Sequence, residues 1–324
     1  DNVTKLITVT LSVNTLKILL GDQSSEASRG SCIGLCLAVK NGSSEVASGF
    51  VDILAKDRTP EGALRGVFSV SNAGKKVFLS PGNLQATVDA SGNASEWKFA
   101  PKQYKYIGVA VADTTIGKAA GTVDLFGWST QVNKKYGISA SAVNTDYSGE
   151  FRDWGWVYKK NLSPMVDWFT LNSTEFDYMV QRQNKYGFAS LVVAPGDTVR
   201  GLILLPDEDF VDPKCNLCSL ASGGEFLAGN LSGETSTKWT ENVYTVADWE
   251  GKMEPEGAAF LPSAGYRTEN TVKEVGVNGY YWTSSKGSGD SHARSEKISG
   301  STPRASDEHR ARGCSVRLVV EYKK

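Results

Sequence analysis

From Val67 to Tyr322 the chain is written in short apolar words, few of them long enough to make a helix. "FSVSNAGKKVFLSPGNLQA", "WKFAPKQYKYIG", "DLFGWST" and "FRDWGWVY" are rich in aromatic and β-branched residues, and Gly, Pro or Asn breaks them every few positions. Words of this kind read as short strands. Nothing repeats at the spacing of about 30 residues that strand–helix–strand units require. The alternating aromatics of "DWGWVY" (Asp153 to Tyr158) read as core rather than as a platform for stacking carbohydrate.

Two segments depart from this texture. In "LNSTEFDYMVQRQN", Asn172 is placed to cap a helix with Glu175 three residues on, and Phe176, Met179 and Val180 share one face. "TVADWEGKMEPEG" repeats the device with Thr245 and Asp248, turns Val246, Trp249 and Met253 inward, and stops at Pro255 and Gly257. "GLILLPD" is a continuous apolar run suited to a buried central strand. The expected class is therefore α+β: two helices flanking small, mostly antiparallel sheets.

The first 64 residues read as a separate β-rich module. "LITVTLSVNTLKILLGD" alternates, and "CIGLCLAVKNGSSEVASGFVDILA" reads as two strands around the turn-prone "KNGS". "KDRTPEGALRG" (Lys56 to Gly66) has the Pro, Gly and charge of a linker, which places a second domain over 65–324. The chain begins at Asp1, the expectation for a processed or trimmed exported protein, and no apolar run is long enough to span a membrane. A formal net charge of -1 gives no general pull toward nucleic acid.

Five cysteines are present. Cys32 and Cys36 are close in sequence, Cys215 and Cys218 form "CNLC", and Cys314 stands alone. A zinc site needs four ligands in paired spacing, and a second Cys-x-x-Cys is missing. The expectation is no metal and no cofactor, with the cysteines as local disulfides or buried thiols.

The ordered words "FSVSNAGKKVFLSPGNLQ", "WKFAPKQYKYIG", "DLFGWST", "STEFDYMVQRQ", "GLILLPD", "YTVADWEGKMEPEGAAFLPSAGYR", "VGVNGYYWTSS" and "GCSVRLV" resemble a family of secreted Bacteroidetes proteins, the Fibrobacter-succinogenes-type major paralogous domain. The resemblance runs from about Val67 to Val320. It implies a C-type-lectin-like fold, related to that of the formylglycine-generating enzymes and of the variable proteins diversified by retroelements. It also implies a cell-surface or pilus-tip lipoprotein. The opening "VTLSVNTLKILLGD" is faintly similar to the first strand of bacterial immunoglobulin-like repeats, which would make the N-terminal module a stalk.

Between the strand-like "GYYWT" and "SVRLVVEY" lies a different kind of sequence. From Lys286 to Arg312 the only large aliphatic residue is Ile298, no Phe, Tyr or Trp occurs, and both histidines of the chain fall here. Its composition allows a solvated, partly disordered loop. The resemblance implies instead a diversified ligand surface over about 284–314, because adenine-directed copying errors at Asn codons yield Ser, Asp, His, Thr, Gly, Ala, Arg, Cys or Ile, which dominate this run. The candidate ligand-binding residues are Lys286, Asp290, His292, Arg294, Glu296, Lys297, Ser299, Ser301, Arg304, Ser306, Asp307, Glu308, His309, Arg310, Arg312 and Cys314. Arginines without aromatics point to a weak or acidic-ligand binder. The implied partner is a protein or glycan on another cell, a host or a phage, with a pilus or outer-membrane component as a further anchoring partner.

Other chemistries find less support in the residues. Calcium-dependent sugar binding needs six to eight oxygen ligands, and "EPE" at Glu254–Glu256 has no "WND" after it. Asp290, Ser291 and His292 hold the residue types of a hydrolytic triad, but adjacency in one segment does not orient them. A thiol oxidase of the formylglycine-generating type would need a partner for Cys314. The alternative to a binding protein is a structural pilus or surface subunit without a variable site.

Overall fold

The computed structural model describes residues 32–41, 44–54, 59–88, 94–107, 121–130, 147–182, 185–207, 239, 242–268, 271–300 and 303–323. The chain divides into two compact units, with the main division between Arg58 and Thr59. In the first, β1 (Cys32–Asn41) and β2 (Ser44–Leu54) form an antiparallel hairpin in which Asn41 pairs with Ser44, as the turn signal "KNGS" predicts. The strand expected around residues 6–22, and the pair Cys215 and Cys218, lie outside the described residues.

The second unit begins earlier than the sequence suggests. Leu64 is buried and its amide donates to the Leu79 carbonyl, so the last part of the expected linker belongs to this unit. Its strands are β3 (Val67–Ser69), β4 (Lys76–Leu79), β5 (Leu84–Val88), β6 (Ala94–Phe99), β7 (Gly121–Val123), β8 (Tyr186–Ala194), β9 (Asp197–Leu204), β10 (Asn242–Thr245), β11 (Ala259–Pro262), β12 (Tyr266–Thr268), β13 (Thr271–Lys273), β14 (Gly279–Lys286), β15 (His292–Ile298), β16 (Arg304–His309) and β17 (Val319–Glu321). They form sheets of order β17-β4-β3, β6-β5-β7, β10-β8-β9-β11, β12-β13 and β14-β15-β16. All pairings between them are antiparallel except that of β10 with β8. The apolar run "GLIL" ends the inner strand β9, and all four residues are buried, so neither face meets water there and no polar residue interrupts it.

The helices are short: α1 (Trp154–Val157), α2 (Lys159–Leu162), α3 (Ser173–Val180) and α4 (Val246–Asp248), the last continuing as a π-turn over Trp249–Met253. The chain is thus α+β in class and mostly strand. In α3 the cap is a full capping box between Asn172 and Glu175, and Phe176, Met179 and Val180 are buried. The Thr245–Asp248 box also forms. Beyond it the helix widens, and the Glu254 amide reaches the Trp249 carbonyl at 2.8 Å. This looser turn keeps Trp249 and Met253 both buried, while Val246 stays half-exposed.

The segment "FRDWGWVY" is a correction to the strand reading. Only Phe151 makes a bridge, to Thr130. Asp153 then caps α1, its Oδ1 accepting from the Gly155 amide and its Oδ2 from that of Thr170, both at 2.8 Å. The cap wins because those two bonds fix a helical start that alternating aromatics alone do not exclude.

One core joins most of these elements. Phe68, Val77 and Leu79 meet Leu202, Leu204 and Leu261, with Phe176, Met179 and Val180 of α3 and Tyr281 and Ile298 of the β14-β15-β16 sheet. Ile298, the lone aliphatic of the polar stretch, is therefore a core residue.

Candidate ligand-binding surface

The stretch between "GYYWT" and "SVRLVVEY" is a folded sheet. β15 pairs with β14 through Tyr281↔Glu296 and Trp282↔Ser295, and with β16 from His292↔His309 to Lys297↔Arg304. A partly disordered loop is excluded for its described residues. Backbone pairing and three ties to α3 hold it, although its side chains favour no strand. The Ser173 amide donates to Ser285 Oγ at 2.9 Å, Gln181 Nε2 to the Pro303 carbonyl at 2.9 Å, and the Ala305 amide to the Asp177 carboxyl.

Four candidate residues point inward, which corrects their assignment to the surface. Glu296 is 0% exposed, opposite Tyr281 and Ala305, and neither carboxyl oxygen has a partner. Burial, with the Asp177 carboxyl as a second cause, pushes it up to about 9. Glu308 is buried but paired, accepting from Ser306 Oγ at 2.6 Å and from Arg312. Arg310 donates to the carbonyls of His292, Tyr147 and Gly149 with its guanidinium 4.5 Å from the Trp128 ring, so it fastens this sheet to the 147–149 segment. Cys314 is fully buried, and burial raises its thiol well above the usual range. Ser301 lies outside the described residues.

The other candidates reach solvent, but on two faces rather than one. Residues paired across an antiparallel sheet share a face, so His292, His309, Arg294 and Asp307 stand together. The imidazole rings are 5.6 Å apart at 71°. Burial, then the charges of His292 and Arg312, lower the His309 pKa, and its Nδ1 accepts from the Ala311 amide. Burial would raise Asp307, but the Ser288 hydroxyl and amide, with Arg294 and His292, hold it below the usual range. Asp290 is exposed in the 287–291 turn nearby, and Lys286 pairs with exposed Glu150.

On the opposite face stand Lys297, Arg304 and Ser306. The Lys297 ammonium lies 5.3 Å from the Tyr280 ring centre and the Arg312 guanidinium 4.3 Å from that of Tyr266. Glu274, in the left-handed region at φ 60°, accepts from the Tyr280 hydroxyl at 2.9 Å. Ser299, half-buried, follows Ile298 at the end of β15.

One feature escaped the sequence reading, and one corrects it. Tyr266 supplies an aromatic to the second face from outside the polar stretch, and the adjacent Tyr280 ring meets it at 5.3 Å. Of the aromatics of "DWGWVY" assigned to the core, Trp154 and Tyr158 are buried and Trp156 is not: it is 70% exposed beside a cleft lined by Phe151, Arg152 and Asp153. The signal for Trp156 is the Asp153 cap, since two residues separated by two helix positions point to nearly opposite sides.

The triad residue types do not assemble. Ser291 Oγ is 3.0 Å from His292 Nδ1 on the exposed turn, and among the described residues no carboxylate bonds the other ring nitrogen. No cluster of three or more His, Cys, Asp or Glu able to hold a metal occurs among the described residues. No helix among them is long and apolar enough to cross a membrane. No protein-family model, curated protein or solved structure matches the chain.

Proposed function

We propose that this chain is a non-catalytic recognition protein of the cell surface or extracellular space. In this reading its second unit is a C-type-lectin-like domain that displays a diversified set of side chains on β14-β15-β16 to a protein or glycan on another cell, a host or a phage. The β-rich first unit is the stalk, anchored through a pilus or outer-membrane partner. One observation carries the reading: on a single sheet, Ser295, Glu296, Ile298, Glu308 and Arg310 are buried, while Arg294, Lys297, Arg304, Ser306 and Asp307 reach solvent between them. A fixed inner set lets the outer set vary without loss of the fold. Retroelement diversification on this frame would act on the outer positions, and a near-copy of the gene's 3′ end, differing mainly at adenines, would accompany it.

The test is attachment of the fluorescently labelled protein to bacterial and host cells, read by flow cytometry. Replacing Arg294, Lys297 and Arg304 by Ser is expected to abolish attachment while the circular dichroism spectrum stays unchanged. Attachment at the original level in the folded variant would refute a role for the sheet and favour a structural surface subunit.

A further inference from the structure

The cleft beside Trp156 lies outside the β14-β15-β16 sheet, and its geometry follows from α1. Trp154 turns inward, is fully buried, and meets Phe151 edge-on at 5.3 Å. Gly155 sits so close to the 168–169 backbone that a Cβ would fall 1.9 Å from the Trp168 carbonyl oxygen, so α1 is pressed against that segment. Asp153 fixes the start of the helix. With Trp154 held in, Trp156 is forced out, and 70% of it is exposed.

The backbone that carries this indole is thereby fixed. The indole borders a concavity of about 540 Å³ whose other walls, among the described residues, are Phe151, Arg152 and Asp153. The concavity is open to solvent rather than enclosed. Phe151 is itself anchored, stacked at 5.0 Å on buried Trp128.

Among the described residues the cleft holds one cation, Arg152, and one acid, Asp153. The Arg152 guanidinium lies 5.8 Å from the Trp156 ring centre and makes no ion pair among the described residues. Asp153 forms no ion pair with it, and its two oxygens accept from the amides of Gly155 and Thr170. The acid before Arg152, Glu150, is taken by Lys286. A half-buried cation beside an exposed indole face asks for a ligand with a carboxylate and an apolar ring face. Arginine binds carboxylates in a bidentate fork that a neutral hydroxyl cannot match, and an indole offers a flat apolar surface.

We infer that this cleft is a binding site for a uronic-acid residue, with the C–H face of the pyranose on Trp156 and its carboxylate on Arg152. The inference does not depend on what the sheet recognises. Its test is titration of the full chain with tri-galacturonate, read by tryptophan fluorescence and by calorimetry, with maltotriose as the neutral control. An open site of this size is expected to bind tri-galacturonate with a Kd of about 0.1–1 mM, and maltotriose at least about tenfold more weakly. Trp156→Ala should abolish binding, and Arg152→Gln should erase the preference for the acid while keeping the residual affinity for both sugars. Equal binding of the two sugars by the original protein, binding unchanged in Trp156→Ala, or no binding of tri-galacturonate would each overturn the inference. Cell attachment through the sheet should survive Trp156→Ala, so the two sites fail separately.

Discussion

Glu296 carries its carboxyl into the core with no hydrogen-bond partner for either oxygen. Its folded pKa, about 9, lies above the ordinary value of 4.5, so the folded state holds a proton that the unfolded state releases. The sign follows: the folded state is favoured fully below about pH 4.5 and loses that advantage as pH climbs toward 9. Glu296→Gln is expected to differ little from the original protein at pH 4 and to gain about 3 kcal/mol on it between pH 4 and pH 7, because above pH 4.5 the carboxyl must take up a proton to fold and the amide need not. Urea denaturation of both proteins across this range measures it, and a gain that shrinks with rising pH would contradict the assignment. Cys314 gives a simpler check. Buried and protonated, it should resist iodoacetamide in the native protein and react once urea is added, as read by peptide mass spectrometry.

The helix α3 is the clamp that makes an otherwise polar sequence into a sheet. Asn172→Ala removes the capping box and is expected to destabilise the protein by about 1 kcal/mol. Because α3 holds Ser285, Pro303 and Ala305, amide protection should fall along β15 and β16 more than along β9, and equal losses in all three would refute the clamp. This element was legible in advance, since a cap is a local interaction between Asn172 and Glu175 and needs no knowledge of the rest of the chain. β15 was not. "HARSEKI" turns Ala293, Ser295, Glu296 and Ile298 inward, and only one of these is a residue that strands favour. Its pairing comes from β14 and β16 and from α3, contacts that no local pattern encodes. Trp156 stayed hidden for a related reason: alternating tryptophans suit one strand face, and only the Asp153 cap turns them to opposite sides of a helix.

At the scale of the molecule, the class, the central strand and the two caps follow from sequence, whereas the division of residues 286–314 into frame and display follows from tertiary packing. That division alters what a deletion can reveal. Removing residues 288–310 would take away Ile298 and two strands, so lost attachment would report unfolding. Substitution separates the two contributions. Replacing Lys286, Asp290, Arg294, Lys297 and Arg304 together by Ser discards the exposed ion pair of Lys286 with Glu150, the Lys297 cation over Tyr280 and the Arg294 charge beside Asp307. It should change stability by no more than about 2 kcal/mol. Arg310→Ser removes the donors to three backbone carbonyls and the cation over Trp128, and should cost about 3–5 kcal/mol. Denaturant midpoints of the two variants decide the matter. A fivefold outer variant as unstable as the single inner one would mean that the outward side chains are part of the frame, and the sheet would then be a poor place for variation.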